Sequence, residues 1–369
     1  MRILTVDIGT GTQDIWLFDS SQEPENFVKL IMPSPTAVVA TCIRAATTRG
    51  EPVVLTGTTM GGGPSHWAAV DHARAGHRLW ATETAARTFD DELDKVAAMG
   101  IEIISDDEAA TLTRRGTREI EMRDFDLPRI EKALRLFGVE PALDAIAVAV
   151  FDHGNAPPGV SDRKFRFAYI AEMLRRNSLA SFAYLSDRVP PHLTRMRAVV
   201  ASTQTDMPLL LMDTGPAAIL GALDDPTARQ MPNKIVCNVG NFHCLAFHLL
   251  DERIAGVFEH HTGELSPEEL REYLRKLANG TLTDQEVFED MGHGAIVQDV
   301  ERVDEPHLVV TGPRRATIRA AGVPAHFAVP HGDMMITGCI GLLRAFADQV
   351  PACREEIERA LGPSHVEHG

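Results

Sequence analysis

MRILTVDIGTGTQDIWLFDS, residues 1–20, is the stretch whose reading decides the fold. Ile3-Leu4-Thr5-Val6 is a strand-like run ending at Asp7, and Ile15-Trp16-Leu17-Phe18 is a second one ending at Asp19. Between them lie the small, polar residues Gly9-Thr10-Gly11-Thr12. Two β-rich runs joined by turn formers predict a hairpin. Gly9 and Gly11 carry no Cβ, so a ligand can come close to the backbone there. The hydroxyls of Thr10 and Thr12 and the loop N–H groups make a cradle for phosphate oxygens. Asp7, at the tip of the first strand, is placed to hold a hydrated Mg²⁺ beside those oxygens. The same residues also fit a plain turn. Two familiar phosphate motifs are excluded: the chain has no G-x-x-x-x-G-K-[ST], and Asp14 stands where a dinucleotide fingerprint needs its third glycine.

The bulk properties narrow the class. At 369 residues the chain is long enough for two or three domains. With 44% hydrophobic and 24% charged residues it has an ordinary globular composition. A net charge of −16 argues against binding nucleic acid or an anionic membrane, both of which need a basic face. No basic-then-apolar leader and no bilayer-length apolar run is seen, so a cytoplasmic protein is expected. Cys42, Cys237, Cys244, Cys339 and Cys353 form neither C-x-x-C nor C-x-x-x-C-x-x-C, which leaves no zinc-ribbon or radical-SAM spacing.

Further along, strands and helices alternate, which argues for an α/β fold. Thr36 is expected to cap a helix ending at Gly50. Pro52–Gly57 reads as a buried strand that empties into Thr58–Pro64 with its triple glycine Gly61-Gly62-Gly63, a ligand loop or a connector. His66, His72 and His77 are weak candidates for metal. Asp144–Phe151 reads as a buried strand delivering Asp152-His153-Gly154-Asn155 to a loop, where α/β proteins place chemistry. Asp152 is a candidate base or metal ligand, and His153 a proton relay. Arg163, Lys164 and Arg166, near a helix start, suggest a nearby anion or a solvated face. Leu209–Met212 runs into Asp213-Thr214-Gly215-Pro216, with Thr214 as the expected cap of a small-residue helix. Ser266-Pro267-Glu268-Glu269 is a capping box.

Ile235–Leu249 has the layout of the opening stretch: strand, polar residue Asn238, Gly240-Asn241, then a second strand with a turn at Asp251-Glu252 beyond it. His243, His248, His260 and His261 invite a metal reading, although His243 and His248 should point to opposite faces of one strand. Leu308–Thr311 then leads into Gly312-Pro313, and Pro330–Leu343 reads as a His-Gly-Asp loop followed by a small-residue helix.

In this order the four parts resemble the superfamily of actin, the hexokinases, the acetate kinases and the heat-shock ATPase chaperones. That resemblance implies two RNase-H-like α/β domains flanking a nucleotide cleft. The expected boundaries are 1–176 and 192–350, with a crossover at 177–191 and a charged tail at 351–369. It implies ATP and Mg²⁺ as ligands. Gly9, Thr10, Gly11 and Thr12 would hold phosphate on one side, Gly240 and Asn241 on the other, and Thr311, Gly312 and Pro313 the adenosine. Asp7 would order Mg²⁺, and Asp152 or Asp213 would be the catalytic base. Asn238 stands where the superfamily carries an acid. DIGTGTQD, TGTTMGGGP and MDTGPAAILGAL also resemble a prokaryotic family labelled pyruvate formate-lyase-activating-enzyme-like, whose label implies radical-SAM chemistry for which this chain lacks the cysteines. The expected function is therefore that of a phosphotransferase or ATPase acting on a small-molecule or protein acceptor. An ATP-driven activator of a redox partner and a nucleotide-binding scaffold without turnover are the alternatives. A homodimer is the candidate assembly.

Overall fold

The computed structural model describes residues 1–251, 253–300 and 305–362. β1 (Arg2–Ile8) and β2 (Thr12–Asp19) form the hairpin expected from the opening stretch, and β3 (Val28–Pro33) adds antiparallel to β2. The Pro35–Arg49 helix follows. Its cap is Ser34, whose side chain accepts from the Ala37 N–H, and not Thr36, whose hydroxyl bonds Ser65 instead.

An inserted unit comes next. β4 (Val53–Gly57), β5 (Leu79–Thr82), β6 (Glu102–Ile104) and β7 (Arg118–Met122) form a four-stranded parallel sheet in the order β6-β5-β4-β7. This unit buries its own core, with Val53, Leu55, Leu79, Ala81 and Met122 at its centre.

β8 (Ala145–Val150) then returns to pair parallel with β1. All six of its side chains are buried, which is the pattern of a strand covered on both faces. β9 (Ala183–Leu185) and β10 (Leu209–Asp213) complete the first sheet, in the order β3-β2-β1-β8-β10-β9. The expected crossover at 177–191 is therefore corrected. β9 lies within that segment and β10 beyond it, and both hydrogen-bond into the first sheet.

The second sheet uses β11 (Asn233–Val239), β12 (His243–Leu250), β13 (Arg253–His261), β14 (Gly294–Val297), β15 (His307–Thr311) and β16 (His326–Phe327). Its order is β14-β13-β12-β11-β15-β16. In both sheets an antiparallel meander is followed by strands parallel to its first member: β3-β2-β1-β8-β10 and β13-β12-β11-β15-β16. The chain thus contains two RNase-H-like halves, with the β4–β7 unit inserted into the first. Of the expected turn at Asp251-Glu252, Glu252 lies outside the described residues. Of the expected tail, Pro351–Leu361 is a helix with Ile357 and Leu361 buried, and 363–369 lie outside the described residues.

The halves meet along two small-residue helices, Thr214–Ala222 and Thr337–Gln349. A methyl group on Gly221 would strike the Thr337 carbonyl, and one on Gly341 the Ala217 carbonyl. The backbones therefore touch, an approach open only to glycine at the crossing. This crossing fixes where the two hairpins point.

Candidate functional site

The two hairpins have the same turn geometry. In the first, the Gly9 N–H donates to the Thr12 carbonyl at 2.9 Å; in the second, the Gly240 N–H donates to the His243 carbonyl at 3.0 Å. Gly240 thus corresponds to Gly9, Asn241 to Thr10, and Asn238 to Asp7. The turns lean together, since a Cβ on Gly11 would come within 2.7 Å of Asn241 Nδ2. Around them opens a cleft of about 410 Å³, within the size range of small-molecule sites. Asp7, Gly9, Thr10, Thr12, Asp152, Gly240, Asn241, Thr311, Gly312 and Pro313 all line it. Gly11 sits behind them, against Asn241.

Asp7 faces Asp14 across the β1–β2 pair, and both line the cleft. Like charges directly opposite in a sheet are unfavourable unless something offsets them. Asp7 Oδ1 accepts from the Thr214 hydroxyl at 2.6 Å, and the Gly338 backbone packs against its other oxygen. Burial pushes Asp7 up to about 6. Burial and the charge of Asp7 together push Asp14 up to about 8. Asp14 Oδ1 is buried with no hydrogen-bond partner among the described residues. Two adjacent carboxylates, one with an orphaned oxygen, are the donor set that a hard divalent cation takes.

Thr214 does not cap its helix. The cap is Asp213, which accepts from the Gly215 N–H and frees Thr214 to reach Asp7. Asp213 is also no base in the cleft. Its carboxylate takes Arg166 Nη1 at 2.6 Å and Nη2 at 3.1 Å, while Glu259 takes Nε and Nη2 of the same guanidinium at 2.8 Å each. All three groups are buried. Arg166 also donates to the Asp152 carbonyl and lies over the Phe151 ring at 3.9 Å. Held between two carboxylates, its pKa is raised. Its neighbour Arg163 donates to the carbonyls of Phe288 and Gly292, and Lys164 lies over the Phe288 ring. The basic helix start therefore joins the halves, and the anions beside Arg166 are the carboxylates of Asp213 and Glu259.

Asp152 remains as the candidate base. Its carboxylate accepts the N–H groups of Gly154 and Met196, each at 2.9 Å, which fixes its orientation. Burial nevertheless pushes it up to about 6, close to where a base works at neutral pH. Arg195 and Arg87 also line the cleft. Arg195 makes a two-pronged pair with Asp124 at 2.6 and 2.9 Å, and Asp124 accepts the Gly61 N–H, so the triple-glycine loop is tied to the main body.

The histidines separate into different roles. His72 is buried against Thr47, and only His66 of its group reaches the cleft. His248 bonds Asn233, while His243 lies on the cleft side, as the alternation along β12 predicts. His260 turns toward Asp290. Residue types alone give no functional reason to single out Asp14, Glu259 or His293. The facing of Asp7 and Asp14 follows from the four-residue turn at 9–12, so that signal was present in the sequence.

Among solved structures, the chain is similar to the ethanolamine utilization protein EutJ from Carboxydothermus hydrogenoformans, at 13% identity over 93% of this chain and 89% of that one, with a TM-score of 0.33. It is also similar to a ROK hexokinase from Thermus thermophilus (12% identity, 95% and 90% covered, TM-score 0.28) and to MreB5 of Spiroplasma citri (10% identity, 96% and 98% covered, TM-score 0.34). A comparison with curated proteins finds no match. One protein family matches residues 60–317, most of the chain, and the chain belongs to it: the family described as "Putative pyruvate format-lyase activating enzyme (DUF1786)".

Proposed function

We propose that the chain binds a nucleoside triphosphate with Mg²⁺ in the cleft between its two RNase-H-like halves and acts as a phosphotransferase or ATPase. The observation that carries this is the pair of equivalent hairpin turns meeting at Gly11 and Asn241, with Asp7 and Asp14 beside them. Backbone N–H groups and the Thr10 and Thr12 hydroxyls supply donors to phosphate oxygens. Asp7 and Asp14 would hold the cation, which neutralises charge on the phosphates when bound. Asp152 is oriented to take a proton from an acceptor hydroxyl or a water. Thr311, Gly312 and Pro313 line the side of the cleft given to the nucleoside. Calorimetry with ATP, with and without Mg²⁺, tests binding, and phosphate release tests turnover. Absence of heat under both conditions overturns the proposal.

One observation favours a second reading, a scaffold that binds without turnover. Asn238 occupies the place of Asp7 in the second hairpin, and a neutral amide there neither activates a water nor adds charge near the cation. Binding without phosphate release selects that reading. The redox-activator alternative has a poor donor set. Cys237, Cys244 and Cys339 are all fully buried, and the thiols of Cys237 and Cys244 lie 3.7 Å apart inside the second half. None of the three can present a cluster to a partner surface.

A further inference from the structure

We propose that His153, His243 and His293 form a binding site for a zinc-type divalent ion at the floor of the cleft, distinct from the Asp7–Asp14 cation site. The three come from separate segments: the loop after β8, the start of β12, and the residue before β14. One nitrogen from each ring lies within 4.8 Å of the other two. An ion at zinc–imidazole distance from each would draw them to about 3.4 Å apart, a short rearrangement of side chains.

Unsatisfied polar atoms mark the cluster as a ligand site. His243 Nε2 and both ring nitrogens of His293 are buried without a hydrogen-bond partner among the described residues. Buried imidazole nitrogens normally find partners, so three orphans in one cluster need an explanation. The rings are also preorganised. His243 stacks on Phe151 at 3.8 Å, and Phe151 is in turn held under Arg166. Glu259 Oε2 lies 3.8 Å from His293 Nδ1, beyond hydrogen-bond distance, so neither nitrogen of that ring is tied down.

Three imidazoles match the donor set of zinc sites that keep an open position. Glu259 is committed to Arg166, so it does not close the site. His153 and His243 line the cleft, so the open position faces the space beside the second hairpin turn. The ligand taken there is a water or an oxygen of an anionic substrate. This inference does not depend on nucleotide binding, and its test uses none.

The full chain, stripped with a chelator and dialysed, is titrated with Zn²⁺ against a chromophoric competitor and with Co²⁺ for its visible spectrum. The expected result is about one ion per chain with nitrogen-type Co²⁺ bands, and an affinity loss of at least about ten-fold in each of H153Q, H243Q and H293Q. H77A, outside the cluster, should bind as the unaltered chain does. Equal affinity in the unaltered chain and the triple glutamine variant overturns the proposal. Should the variants fail to fold, diethyl pyrocarbonate mapping on the unaltered chain decides: Zn²⁺ should shield His153, whose ring is open to the cleft, and unchanged modification of His153 counts against the site.

Discussion

Gly11 and Asn241 meet beside the cleft: a Cβ on the glycine would come within 2.7 Å of the amide nitrogen. One lies in the turn of the first hairpin and the other in the turn of the second, so the two turns touch here. The neighbour is the far end of a side chain, which can move. Gly11→Ala should therefore be tolerated with Asn241 displaced, whereas Gly11→Val should push the turns apart. The expected outcome is that Gly11→Val abolishes stabilisation by Mg·ATP, which for the unaltered chain at 100 times Kd amounts to about 2.7 kcal/mol. Thermal shift with and without nucleotide reads this. An undiminished shift in Gly11→Val removes the cleft from the binding argument.

Asp7 and Asp14 should make both stability and cation binding depend on pH. Their folded values, about 6 and about 8, lie above the ordinary carboxylate value of 3.8. Between those limits the folded chain holds protons that the unfolded chain has released, so stability falls as pH rises from about 4 to about 8. A cation competes with the same protons. Mg²⁺ should therefore stabilise the chain more at about pH 8.5 than at about pH 6. Asp14→Asn should flatten the decline between about pH 6 and 8 and weaken the Mg²⁺ effect. Urea unfolding across that range, with and without Mg²⁺, measures both slopes. Identical slopes in the variant and the unaltered chain would remove Asp14 from the cation site.

The parts of this site that are local in sequence were legible, and the parts assembled over distance were not. Each hairpin is written in one contiguous stretch, Arg2–Asp19 and Asn233–Leu250, so turn chemistry and strand propensity suffice to find it. The return of β9 and β10 to the first sheet has no local signature. Their apolar runs would pair as well in the second sheet, and only the packed structure decides. Asp213 shows the same effect at one residue. Strand–Asp–Thr–Gly reads as a cleft motif, but its partner Arg166 lies on a helix whose basic residues look solvated in isolation. The three histidines of the proposed metal site are similarly scattered, so spacing rules had nothing to detect.

Arg166 should be the most costly surface-independent charge to remove. It is 1% exposed and satisfies both Asp213 and Glu259, so Arg166→Met leaves two buried carboxylates without a counterion. Breaking a buried pair from one side costs about 3–5 kcal/mol. The combined change R166M/D213N/E259Q removes the stranded charges and should recover part of that loss. Denaturant midpoints at constant m-value report it. A loss below about 1 kcal/mol in Arg166→Met would mean that the network contributes little to joining the halves.

The crossing of the Thr214–Ala222 and Thr337–Gln349 helices should be equally intolerant of added volume. Methyl groups on Gly221 or Gly341 meet backbone carbonyls, not flexible side chains. Relief then requires the helices to separate, and with them the two halves. Gly221→Ala should destabilise by about 3 kcal/mol, the upper part of the range for overpacking. It should also weaken nucleotide binding, because the hairpins ride on this crossing. A variant that loses stability while keeping full affinity would show that cleft spacing is set elsewhere, with the Gly11–Asn241 contact as the remaining candidate.

Asp152 should separate binding from turnover. Its carboxylate is fixed by the N–H groups of Gly154 and Met196, and its value near 6 leaves it mostly ionised at neutral pH. Asp152→Asn keeps shape and hydrogen-bond acceptance at one oxygen but cannot take a proton. Phosphate release should fall by about 10²-fold or more with nucleotide affinity nearly unchanged. In the unaltered chain the rate should rise with pH along a limb centred near 6, and that limb should vanish in Asp152→Asn. Asn238→Asp supplies the contrast. It adds a carboxylate at the equivalent place in the second hairpin, so a gain of phosphate release there, with no loss in Asp152→Asn, would move the base from the first half of the molecule to the second.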